Sequence, residues 1–324
     1  MTQTLAAPTF PDVLKARSIL ARYLKPTPMY RHAPLETMVG TEVWVKHENH
    51  LPTAAFKVRG GINLVSQLAD SERAAGLVAA STGNHGQSVA YAGRLFGVQA
   101  TICVPEGANP TKVTAMEALG ARVLTRGTDF DDAREHAARL AVDEGYRYVH
   151  SGDEPLLIAG VGTHTLEIFE ELPDADAIIV PIGGGSGAAG ACIVAKTVSP
   201  GTEVIGVQAA AAPAAFKSWK QRALVEDEMK TAAEGLATRT AFELPQRILW
   251  DLLDDFVLVE ENEIADATFS MIEATRNLVE GAAASTLAAA LKLRDRLAGK
   301  KVVLICSGGN ITPAQVGELL QGRV

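Results

Sequence analysis

Three apolar runs in this sequence stop directly on glycine-rich turns. Gly76–Ser81 leads into Ser-Thr-Gly-Asn-His-Gly at Ser81–Gly86, Ala177–Val180 into Pro-Ile-Gly-Gly-Gly-Ser-Gly at Pro181–Gly187, and Lys301–Cys306 into Ser-Gly-Gly-Asn at Ser307–Asn310. Short, unbroken apolar runs bounded by turns read as strands covered on both faces, the kind found in parallel sheets. Parallel strands need helical crossovers, and the intervening sequence supplies them. A helix is expected from the first turn to about Gly97, then a strand over Ala100–Pro105. Next comes a helix from Pro110, a residue favoured in a first turn, to Gly120, a C-cap residue. The strand Ala121–Thr125, a helix from about Asp129 to Glu144 and a short strand at Tyr148–His150 complete this series. A second series has a helix around Gly162–Glu171, the strand Ala177–Pro181, a helix to about Val198, the strand Glu203–Gln208 and a last helix from near Thr312.

The fold class is therefore α/β, with two parallel-sheet domains. Strand-like Trp44–Glu48 must pair with the later series. This gives a larger domain from residues 1–75 and 151–324, interrupted by a small α/β domain at 76–150. A chain of 324 residues has room for both.

Lysine and arginine number 30 against 38 aspartates and glutamates, so the net charge of −8 provides no cationic excess for a nucleic-acid backbone. Cys103, Cys192 and Cys306 are far apart and form no Cys-x-x-Cys pair, so neither a disulfide framework nor a zinc site is expected. They read as free thiols in a reducing cytoplasm. The first dozen residues carry no basic, apolar leader, and no apolar stretch approaches membrane-spanning length, so neither secretion nor a membrane is expected.

The run Gly183-Gly184-Gly185-Ser186-Gly187 lets backbone N–H groups curl inward at a helix start and hold a phosphate. No Lys-Ser/Thr follows and the dinucleotide spacing is missing, so ATP and NAD are poor candidates. Taken alone, the run serves a tight turn equally well. Lys57 lies among Ala54, Ala55, Phe56 and Val58, surroundings that would desolvate its amine and make it nucleophilic; alone, it is also an ordinary helix lysine. Ser81-Thr82-Gly83-Asn84-His85 offers hydroxyls and N–H donors suited to a carboxylate, or a capped helix start. His85 by itself reads as structural, and no Gly-x-Ser-x-Gly elbow supports a hydrolase.

Taken together, Pro52–Arg59, Ser81–Gln87, Gly183–Gly187, Glu280–Ala284 and Ser307–Asn310 resemble, in order and spacing, the fold-type II pyridoxal-phosphate enzymes of tryptophan synthase beta-like architecture. Within them the chain is most similar to the threonine/serine dehydratase and serine racemase group. The resemblance implies that Lys57 is the Schiff-base lysine, that Phe56 flanks the pyridoxal 5'-phosphate and that Asn84 bonds its phenolic oxygen. It implies that Gly183, Gly184, Gly185 and Ser186 bind the phosphate, that Ser307 faces the pyridine nitrogen, and that Glu280 lies close by. Ser81, Thr82, Gly83 and His85 would surround the carboxylate of a small amino-acid substrate. Two departures stand out: Ala54-Ala55 where relatives have Gly-Ser, and Ser186 where they have a fourth glycine.

The implied reaction is β-elimination of a 3-hydroxy amino acid, such as L-threonine or L-serine, to a 2-oxo acid and ammonia. The alternatives are racemisation, with Thr82 as the catalytic acid opposite Lys57, and dehydration of a bulkier substrate such as phenylserine or 3-hydroxyaspartate. A phosphate-binding protein without catalysis would have no use for Lys57. Gln208 and Ala214 stand where similar metal-dependent enzymes carry acids, so no metal is expected. The resemblance also implies a homodimer.

Overall fold

Ten strands in two separate sheets carry the alternating pattern in the computed structural model, which describes residues 5–128 and 130–321. In chain order they are β1 (Met29–Arg31), β2 (Glu42–His47), β3 (Leu77–Ala80), β4 (Ala100–Val104), β5 (Arg122–Thr125), β6 (Arg147–Tyr148), β7 (Ala177–Pro181), β8 (Glu203–Ala209), β9 (Asp255–Val259) and β10 (Lys301–Cys306). The larger sheet runs β1-β2-β10-β7-β8-β9 and the smaller β5-β4-β3-β6. Every pairing is parallel except that of β1, which lies antiparallel on β2 at the sheet edge.

Strand β10 sits centrally, with Val302 beside Val43 of β2 on one side and Ala177 of β7 on the other. Alternate residues of these strands enter different cores, as the two-residue strand period requires. Ile178, Val180, Val303 and Ile305 pack with helices Pro155–Glu171 and Ser186–Val198, whereas Ile179, Val302 and Leu304 pack with helix Gly281–Lys292. The alanine-rich face of that last helix has little bulk, so it lies close on the sheet.

Helix Lys57–Ser66 joins the two sheets. Its Val58, Ile62, Leu64 and Val65 share one apolar core with Leu77, Ala79 and Ile102 of the smaller sheet. Gly60 and Gly61 let it press against Leu157 and Ser88, which wedges it between helices Pro155–Glu171 and Asn84–Phe96.

Some elements differ from the sequence reading. The helix expected around Gly162 begins at Pro155, because Leu157–Thr165 is buried all round and shows no one-sided periodicity to mark its start. The short strand expected at Tyr148–His150 is Arg147–Tyr148, since the His150 side chain accepts backbone N–H bonds from Gly152 and Asp153 and curls the chain there. Strands β1 and β9 and helices Glu243–Leu252 and Glu261–Thr275 were not anticipated. The helix start expected at Asp129, and the ends of the expected larger domain at Met1–Thr4 and Gly322–Val324, lie outside the described residues.

Candidate active site

The glycine-rich turns lie at the carboxyl ends of strands, where open parallel sheets leave a crevice for ligands. After β7 the chain runs through Gly183–Gly185 into helix Ser186–Val198, with Gly185 in the left-handed region at φ +85°. A Cβ on Gly183 would collide with the Gly235 carbonyl, and one on Gly184 with the Phe242 ring. Only bare backbone fits, and its N–H groups join the positive end of the following helix as an anion cradle.

Lys57 reaches this cradle from the start of its own helix. Its Nζ donates to Ser186 Oγ at 2.9 Å and to the Ser151 carbonyl at 3.0 Å. The Phe56 ring centroid is 5.3 Å from Nζ. No carboxylate accompanies the amine among the described residues, and burial pushes its pKa down to about 8. Pyridoxal phosphate, the cofactor implied by the sequence, pairs an aldehyde with a phosphate. A partly neutral amine beside an anion cradle offers one partner to each, so the residues present fit the group.

A second wall forms around Glu280. Asn84 Nδ2 donates to Glu280 Oε1 at 2.8 Å, and Asn310 Nδ2 donates to Asn84 Oδ1 at 2.7 Å and to the Thr53 carbonyl at 2.9 Å. Burial raises the Glu280 carboxyl above its usual range, and the Asn84 bond offsets only part of that. Gly308 is glycine because a Cβ would stand 2.5 Å from Glu280 Oε1. Ser307, itself buried, accepts from the Phe56 N–H through its carbonyl at 2.9 Å, while Gly309 N–H donates to the Ala54 carbonyl at 2.9 Å. These two bonds fasten the lysine segment to the end of β10. Ala54, one of the two departures from the relatives' Gly-Ser, takes φ +51°, a conformation that favours glycine.

Beyond β3, Gly83 N–H donates to Ser81 Oγ at 3.2 Å, and nothing lies within 4 Å of where a Gly83 Cβ would stand. Helix Asn84–Phe96 starts at this open space, so its first-turn N–H groups have no intrahelical acceptor and suit a carboxylate. The His85 ring points elsewhere: Nε2 bonds the Val149 carbonyl at 3.0 Å, and burial, then the charge of Lys57, pushes its pKa down to about 3. His85 can therefore offer a substrate only its backbone N–H. Half-buried Thr82 makes no bond to Lys57 among the described residues.

Ser151, His150, Thr238 and Phe242 belong to the same site and were missed by sequence reasoning. They line, with Ala80 and Tyr148, a cavity of about 90 Å³ next to the Lys57 anchor. The positions of His150 and Ser151 just after β6 were the available signal; Phe242 offered none. A larger cavity of about 420 Å³ meets the site at Gly235, Glu280 and Asn310, and the Lys112–Glu234 ion pair lies along it. The smaller cavity includes Ser151, whose carbonyl accepts from Lys57. Gln208, one of the two residues from which the sequence predicts no metal, accepts from the Phe216 N–H at 3.0 Å, and Ala214 is buried. No cluster of three potential ligands for a metal ion occurs among the described residues.

Behind the lysine, Arg59 is buried between two carboxylates. It donates to Glu48 at 2.6 and 2.8 Å and to Glu167 at 2.7 and 2.8 Å. Lys46 adds a bond to Glu167 at 2.7 Å, and all four side chains are nearly inaccessible.

The family model described as "Pyridoxal-phosphate dependent enzyme" matches residues 20–308. The L-threonine ammonia-lyase of Thermotoga maritima is 37% identical over 313 residues, which is 96% of this chain and 78% of that one. The L-threo-3-hydroxyaspartate ammonia-lyase of Saccharomyces cerevisiae is 33% identical, over 98% of both chains. The crystal structure of serine racemase from Dictyostelium discoideum superposes with a TM-score of 0.89 at 32% identity, covering 95% of this chain and all of that one.

Proposed function

Because the chain belongs to the pyridoxal-phosphate dependent enzyme family, we propose that it is an ammonia-lyase that strips the β-hydroxyl and amino groups from a 3-hydroxy amino acid, L-threonine or L-serine first, leaving a 2-oxo acid and ammonia. The observation that carries this reading is the Lys57 amine, lowered to about 8 and held 2.9 Å from Ser186 in the glycine cradle.

Pyridoxal phosphate, when bound, draws electrons from the substrate's Cα, so that the Cα proton becomes removable and a β-substituent can depart. The chain's own residues have separate tasks in this reading. Gly183, Gly184, Gly185 and Ser186 hold the phosphate, and Phe56, Asn84, Glu280 and Ser307 surround the ring. Backbone N–H groups of Asn84 and His85, with the Ser81 and Thr82 hydroxyls, hold the substrate carboxylate over the open space at Gly83. Lys57, neutral for part of the time near pH 8, takes the Cα proton. Racemisation would also need a proton from the opposite face, and the β-branched Thr82 is the sequence-matched donor. Its β-branch restricts χ1 and so narrows the geometries in which it could deliver that proton, which favours elimination.

The two sheets support a division into 1–75 with 151–324 and 76–150, the Lys57 helix acting as the joint. A cytoplasmic homodimer completes the proposal. The three cysteines are buried free thiols, in keeping with a reducing compartment, and no described helix is long and apolar enough to cross a membrane.

Incubation with L-threonine and L-serine separately, followed by 2-oxo-acid detection and chiral chromatography, tests the reading. Oxo acid should exceed D-isomer by at least about tenfold, a barrier difference of roughly 1.4 kcal/mol. D-isomer forming as fast as oxo acid would make the protein a racemase, and absence of both would overturn the proposal.

A further inference from the structure

His150 lines the small cavity that includes Ser151, whose carbonyl accepts from Lys57, and is held there by its own backbone. Its Nδ1 accepts the N–H of Gly152 at 3.2 Å and of Asp153 at 2.8 Å. A ring nitrogen that accepts cannot also carry the proton, so the neutral ring must carry its hydrogen on Nε2. The Phe242 ring, edge-on with its centroid 4.8 Å away, packs against the imidazole. Nε2 makes no bond among the described residues, while the ring lines the same small cavity as Ser151, whose carbonyl anchors Lys57. Burial disfavours the charged ring most, Asp153 and Glu154 oppose it, and the charges of Arg134 and then Lys57 add to the effect of burial. Asp153 stands 3.7 Å from Nδ1, but its other oxygen is occupied by the Leu244 N–H.

We propose that His150 donates a hydrogen bond through Nε2–H to the departing β-oxygen of the substrate. The proposal rests on the elimination reading. In that step the Cα–H bond breaks and its proton passes to the Lys57 amine. The electron pair left behind forms the Cα–Cβ double bond, and the Cβ–O bond breaks with its electrons on oxygen. The proton held by Lys57 then completes the leaving water. His150 keeps its own proton throughout and stabilises the charge that builds on oxygen, as a fixed, preorganised donor can.

His150→Asn tests this in the holoenzyme. Its side-chain oxygen can still accept from Gly152 and Asp153 as an Asx turn does, but its short amide does not replace the far N–H of the ring. Turnover of L-serine should fall at least about 30-fold, the lower range for losing one such donor. Turnover of β-chloro-L-alanine, whose chloride leaves without a donor, should stay within about threefold under the same argument. Equal losses on both substrates, or no loss on either, would overturn the proposal. A second measurement does not depend on turnover: long-range ¹⁵N–¹H correlation spectra of the wild-type holoenzyme at about pH 7, the pH range in which a free imidazole titrates. The His150 signal, identified by its loss in His150→Asn or His150→Gln, should show the neutral Nε2–H tautomer; an Nδ1–H tautomer or an imidazolium would refute it. Absence of oxo acid from both hydroxy amino acids in the wild type would overturn the elimination reading and this proposal with it. Normal wild-type turnover with equal losses in the variant would overturn this proposal alone.

Discussion

Replacing Arg59 with Met should remove a large part of the protein's stability. The guanidinium makes four bonds of 2.6 to 2.8 Å to Glu48 and Glu167, at a point where neither carboxylate reaches water. Burial alone would raise the Glu48 carboxyl; Arg59 overcomes this and holds it at about 2, against an ordinary value of 4.5. At about 1.4 kcal/mol per pH unit, that depression is worth about 3 kcal/mol. A carboxylate with a depressed folded pKa contributes this stability above its unfolded pKa, and loses it as pH falls toward the folded value. In Arg59→Met, Lys46 still faces Glu167, but Glu48 keeps only the Thr27 hydroxyl, at 2.6 Å. Breaking a buried pair on one side typically costs about 3–5 kcal/mol. At roughly 2.1 cal/mol/K of unfolding entropy per residue over 324 residues, 1 kcal/mol is worth roughly 1.5 °C, so Tm should fall by roughly 4–8 °C. The unpaired Glu48 then takes up a proton, so the deficit should be smaller near pH 5 than near pH 8. Calorimetric melts of both proteins at the two pH values measure this. A deficit under about 3 °C near pH 8, or one equal at both pH values, would refute the reasoning.

Other outcomes follow from the same geometry. Since burial holds the Lys57 amine at about 8, the rate at which the apoprotein takes up pyridoxal phosphate covalently should rise from pH 7 and level off above 8; a rise continuing past 10 would show a solvated lysine. Ala54 at φ +51° should tolerate glycine and resist β-branching: Ala54→Gly should leave Tm unchanged or slightly higher in a thermal melt, and Ala54→Val should lower it by several degrees. Dialysis against EDTA should leave oxo-acid formation within about twofold, because a hard cation needs oxygen ligands and Gln208 is already bonded to the Phe216 N–H.

The parts of the site written as continuous sequence were legible from it. The glycine run, the lysine among small apolar neighbours and the turn after β3 are each a few residues long, and their chemistry follows from residue type. The partners that fix them come from far along the chain. Ser151 holds Lys57 through a backbone carbonyl, which leaves no trace in residue type. Arg59 reaches Glu167 across 108 positions, and no spacing rule connects them. The His85 ring, structural by residue type, bonds the Val149 carbonyl 64 positions away, a partner that residue type does not name. In the fold, the buried strands of both sheets stood out as apolar runs, whereas β9, half-exposed at the sheet edge and begun by an aspartate, did not. The Ala54-Ala55 departure was visible as a change of residue, but its left-handed backbone was not.

The most direct test asks which residue holds the cofactor. Reduction of the holoenzyme with borohydride, proteolysis and mass spectrometry should place the pyridoxyl group on the peptide containing Lys57, with the visible imine band lost. Label on another lysine, or an unlabelled Lys57 in enzyme that was turning over before reduction, would contradict it.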